Sequence, residues 1–62
     1  MLLTFTDAQS EKSVAINPHK VAMVFVVPEG EHAGKTVINA GSNNVLVSED
    51  YLEVVGMIQG SK

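Results

Sequence analysis

Val21-Ala22-Met23-Val24-Phe25-Val26-Val27, closed by Pro28-Glu29-Gly30, decides how this chain folds. The run is apolar throughout and β-branched at four positions, which favours an extended conformation. A strand with one face in water alternates apolar and polar residues, because successive side chains point to opposite faces. This run does not alternate. As a strand it therefore needs cover on both faces: one set carries Val21, Met23, Phe25 and Val27, the other Ala22, Val24 and Val26.

Working outward, Leu2 to Thr6 reads as a strand with Leu3 and Phe5 on one face and threonines between them. Ser13 to Asn17 alternates again, with Val14 and Ile16 together, so the two runs form a hairpin around the polar segment Asp7 to Lys12. Pro18 fixes φ and lacks an N–H, so Asn17-Pro18-His19-Lys20 is a turn, with Asn17 as the cap of a short helical piece. Beyond the apolar run, Pro28 to Gly34 forms an exposed loop. Lys35 to Asn39 and Val45 to Val47 are strands joined through Gly41-Ser42-Asn43-Asn44, where Gly and Asn tolerate positive φ.

Ser48 then reads as a helix N-cap, with Glu49 and Asp50 in the first turn. Tyr51, Val54, Val55 and Ile58 recur at helical spacing, Leu52 widens the stripe, and Gly60 is placed to end the helix. The expected fold is one α+β domain, residues 1–62, that is mostly β. About five short antiparallel strands make a small barrel or sheet, with one C-terminal helix packed on it.

Size bears on partners. A domain this short buries only about 60% of the surface its unfolded chain exposes, so small folds recruit disulfides, metals or self-association. The 62 residues contain no cysteine, which leaves oligomerisation as the easiest support. The helix stripe covers one face of the apolar strand and not both. The expected partner is a second copy of the chain, meeting it at Ala22, Val24 and Val26. Glu29, Glu31 and His32 form an exposed loop that is a second place for a protein partner.

The chemistry of other functions is poorly represented. Net charge is −3, the basic residues are Lys12, Lys20, Lys35 and Lys62, and arginine is absent. Phosphate neutralisation and base reading depend on Lys and Arg, so this balance argues against nucleic acid. A small OB- or Sm-like barrel with lysines 12, 20 and 35 gathered by symmetry is the alternative. A further alternative is an acidic inhibitor that presents Glu29, Glu31, Asp7 and Glu11 to a basic protein surface. His19 and His32 are the only histidines, too few in one chain for a metal site, and no cofactor is expected. No nucleophile elbow or phosphate-binding loop is present: Lys35-Thr36 follows Gly34 but leads into a strand, not a helix. An enzyme is not expected. With no stretch approaching the ~20 apolar residues of a spanning helix, and no positively charged leader, the expectation is a soluble cytoplasmic protein.

The order of these pieces resembles the small FlbD-like flagellar and swarming-motility proteins. The matching pieces are Leu3-Thr4, Ile16-Asn17 through Val21, Thr36-Val37-Ile38, and Val45-Leu46-Val47-Ser48-Glu49 into Glu53-Val54-Val55. The chain departs from that family in lacking its basic residues and its Asn/Asp-Gly hairpin turn. Phage-encoded accessory proteins share similar patterns. The resemblance implies a protein that acts through protein contacts, and it carries over no catalytic residues.

Overall fold

The computed structural model describes residues 2–61. Strand β1 (Leu3–Thr6) pairs antiparallel with β2 (Ser13–Ile16), with Leu3 opposite Ile16 and Thr6 opposite Ser13. Leu3 and Phe5 are buried while Thr4 is exposed, as the alternation requires. Local bonds close the connecting loop. Asp7 N–H donates to the Lys12 carbonyl at 2.8 Å, and Asp7 Oδ1 accepts from Gln9 N–H at 2.9 Å. The second of these is the side-chain turn that Asp favours.

A 3-10 turn (Pro18–Lys20) follows, and Asn17 caps it: its Oδ1 accepts from His19 N–H at 3.0 Å. Strands β3 (Val21–Val26), β4 (Thr36–Ala40) and β5 (Asn43–Val47) form an antiparallel sheet in the order β3-β4-β5. Ala40 pairs with Asn43, so the β4–β5 turn is only Gly41-Ser42, and β5 starts earlier than the Gly/Asn pattern implies. Gly41 adopts φ +71° while Ser42 stays at negative φ, the requirement of a type II′ hairpin turn.

The two sheets meet at a corner. Asp7 bridges to Val47, Ala8 N–H donates to the Leu46 carbonyl, and Ser48 N–H donates to the Thr6 carbonyl, each bond 2.9 Å. The strands thus run β2-β1-β5-β4-β3 through space without closing into a barrel, because β2 and β3 do not pair. Helix α1 (Tyr51–Ser61) lies over the interior and buries Val54 and Ile58. These meet Leu3, Phe5, Ile16, Ile38 and Val47 in one core, edged by Val14, Val21, Val24, Ala40, Val45 and Met57.

The helix begins later and covers less than its sequence suggests. Asp50, not Ser48, is the cap: its Oδ1 accepts from Glu53 N–H at 2.9 Å and its carbonyl from Val54 N–H at 3.0 Å. Ser48 is unavailable because its N–H still extends the strand pairing toward Thr6. Leu52 does not widen the buried stripe, being 78% exposed, and Tyr51 is exposed as well. The helix also continues through Gly60 to Ser61.

The central run resolves its missing alternation through a bulge. Val21 lies opposite Ala40 and Met23 opposite Asn39, so Ala22 is an extra residue with no partner on β4. Three positions apart, Val21 and Val24 would face opposite ways in a regular strand. The extra residue brings both to the core, where both are half-buried. Val26 shares their side of the sheet in line with Thr36 and Val47. Met23 and Phe25 take the other side. The two faces are therefore not the two sets that plain alternation assigns.

Candidate protein-interaction surface

The sheet β3-β4-β5 carries no charged side chain: Val21–Val26, Thr36–Ala40 and Asn43–Val47 contain none. Its outer face is built from cross-strand rows. Phe25 stands opposite Val37, and Val37 opposite Leu46; beside this apolar row, Met23, Asn39 and Asn44 form a second. Asn39 Nδ2 donates to Asn44 Oδ1 at 2.7 Å, linking the two amides across the strands. Val37 is buried yet stands apart from the core cluster, as a residue on the opposite face must. Met23 and Phe25 remain 54% and 38% exposed. The exposed apolar surface is thus the β3 end of these rows, Met23 and Phe25, since Val37 is buried and Leu46 half-buried. An adjacent exposed pair marks an interaction surface more reliably than a scattered leucine does.

The free edge of β3 adjoins this row. Val27 N–H donates to the Lys35 carbonyl at 2.9 Å, which turns the Val27 backbone toward β4. In an antiparallel pair such residues alternate, so Phe25 also bonds toward β4 while Val24 and Val26 aim N–H and C=O outward. Among the described residues no strand pairs on that side of β3. Unpaired edges are usually protected by lysine, proline or a covering element. Here the bulge at Ala22 interrupts the first half of the strand and α1 flanks Val21 to Val24 across a groove, while Phe25 to Val27 has no such protection among the described residues.

The residues singled out by sequence are distributed as follows. Ala22 is the exposed bulge residue, Val24 packs its side chain on the core, and Val26 is 41% exposed at the strand's end. Glu29 and Glu31 are exposed in the β3–β4 loop and His32 is half-buried there. The loop is shaped by its own bonds, from Ala33 N–H to the Gly30 carbonyl (3.2 Å) and from Lys35 N–H to the His32 carbonyl (3.1 Å). Lysines 12, 20 and 35 belong to three different connections. Plain alternation did group Met23 with Phe25 and Val24 with Val26; it gave no sign of which group the helix covers, and the bulge changes only the side of Val21.

A shallow groove of about 200 Å³ separates β3 from α1, lined by Val21 to Val24 and by Val55, Ile58 and Gln59. It is smaller than the ~300–1,000 Å³ of ligand pockets, and Gln59 is the one polar side chain in its lining. Among the described residues, no three His, Asp or Glu side chains gather in a metal-binding arrangement. Among them, too, no helix is long and apolar enough to cross a membrane. No family model matches the chain, and no curated protein or solved structure matches it.

Proposed function

We infer that this chain is a non-enzymatic protein-interaction module that self-associates through its three-stranded sheet. The observation that carries the reading is the uncharged β3-β4-β5 sheet, with exposed Met23 and Phe25 beside an edge that is unpaired among the described residues. Burying Met23 and Phe25 against a partner supplies apolar burial that a chain of this length lacks by itself. The resemblance to FlbD-like proteins, which act through protein contacts, points the same way, and on this reading the module works in the cytoplasm as an accessory or regulatory protein of a bacterium or phage. The interface named by alternation alone, Ala22, Val24 and Val26, shifts in this reading. Val26 stays, Val24 contributes its backbone, and Met23 and Phe25 supply the side chains.

Sedimentation velocity over a range of concentrations is the direct test. The expected result is a concentration-dependent dimer or higher species at micromolar protein. A single compact monomer throughout that range would refute the proposal.

A further inference from the structure

We propose that two copies of this chain pair antiparallel along the free edges of β3, joining their three-stranded sheets into one six-stranded sheet about a two-fold axis at Phe25. The proposal rests on the self-association read above and assigns its geometry.

Three observations fix the arrangement. First, past the bulge at Ala22 the β3 residues that aim their backbone groups outward are Val24, at the margin of the groove beside α1, and Val26. A two-fold antiparallel pair that uses both must set Val24 against Val26 of the other copy, and Val26 against its Val24. This exchanges both N–H···O=C bonds at each position. Second, that register places Phe25 on the axis, facing its own copy as a non-hydrogen-bonded pair, the closer of the two antiparallel spacings. The exposed ring then buries against its twin, and the row Phe25-Val37-Leu46 runs without a break through both sheets. Third, charge selects the direction. Exposed Lys20 stands just before β3, and exposed Glu29 and Glu31 follow it. Antiparallel pairing brings each Lys20 toward the end of the other copy's β3 from which the loop bearing Glu29 and Glu31 departs. Parallel pairing would set Lys20 against Lys20 and glutamates against glutamates. Because no charge lies between Lys20 and Glu29, nothing along the edge repels a second copy.

The test exploits the absence of cysteine. Non-hydrogen-bonded antiparallel partners have Cα atoms about 4.5 Å apart, within the range a disulfide spans. Phe25→Cys is oxidised mildly alongside Leu52→Cys, an exposed helix position away from the edge. The expected result is a covalent dimer formed about tenfold or more faster for Phe25→Cys, through its higher effective concentration. Equal rates in a protein that sediments as an oligomer would overturn edge pairing and leave self-association standing. Sedimentation as a monomer would overturn both, and leave the edge to a strand of some other protein. Val26→Pro supplies an independent measurement, since it removes an outward N–H and no bond to β4. Its expected effect is a loss of about tenfold or more in dimer affinity with unchanged circular dichroism. A folded Val26→Pro protein that dimerises like wild type would overturn the proposal. Should that variant not fold, the cysteine comparison decides.

Discussion

The backbone N–H of Thr6 donates to both carboxylate oxygens of Glu49, at 2.9 and 3.0 Å, across 43 residues of sequence. The bond fastens the end of β1 to the segment that leads into α1. Hydrogen bonds to a charged partner contribute more than neutral ones, about 1.5–3 kcal/mol. Glu49→Ala is therefore expected to destabilise the fold by roughly 1–3 kcal/mol. Glu49→Gln keeps an acceptor oxygen without the charge and should lose less. Urea unfolding of the three proteins measures the order, and an Ala variant as stable as wild type would show that the bond contributes nothing net.

Thr36 binds the same residue from the other side. Its side chain is fully buried, and its hydroxyl donates to the Glu49 carbonyl at 2.9 Å. Thr36→Val keeps the shape and removes the donor, leaving a part-buried carbonyl unpaired. The expected cost is about 1–2 kcal/mol in urea unfolding. A neutral result would mean that water reaches this carbonyl.

The helix cap separates two neighbouring residues of similar type. Asp50→Ala removes the acceptor for Glu53 N–H and is expected to cost about 1 kcal/mol. Ser48→Ala removes an exposed hydroxyl that makes no hydrogen bond among the described residues, and should stay within about 0.5 kcal/mol of wild type. Thermal melts of both variants give the comparison, and the reverse order would move the cap back to Ser48.

Such contrasts show which features a sequence carries openly. Leu3, Phe5 and Ile16 were readable as core because one-sided burial writes a period of two, and Val54 and Ile58 because a docked helix writes one of 3.6. The cap of the 3-10 turn was readable too, since Asn17 before Pro18 is a local signal. The bulge was not: within seven consecutive apolar residues, nothing marks Ala22 as the extra one. Its consequence is that Val21 joins Val24 on the core side. Which of the two faces the helix covers is a tertiary fact that no local pattern carries. Glu49 was equally opaque. Beside Ser48 and Asp50 it looks like first-turn charge, and only tertiary structure brings Thr6 to it.

Two glycines should respond oppositely to alanine. Gly56 lies within α1 with open space where a Cβ would stand, so Gly56→Ala is expected to stabilise by about 0.5–1 kcal/mol. Gly41 holds the β4–β5 turn at φ +71°, where an L side chain is strained although the space is open. Gly41→Ala should therefore destabilise by roughly 1 kcal/mol. Parallel thermal melts check both signs.

Val24 and Phe25 are neighbours whose side chains leave opposite faces of the same strand, which makes lysine a probe of each. Val24 packs on the core, so Val24→Lys must bury its stem and strain to bring its charge to water. The expected result is a loss of about 2 kcal/mol or more, seen as a lower urea midpoint at any protein concentration. Phe25 is partly exposed on the outer face, where lysine forfeits mainly the cross-strand contact with Val37, about 1 kcal/mol at most. Phe25→Lys should thus remain folded and sediment as a monomer, because like charges would meet wherever two outer rows approach. A Phe25→Lys protein that still associates would place the contact away from this row. A Val24→Lys protein that is fully stable yet monomeric would return the interface to the opposite side of the strand.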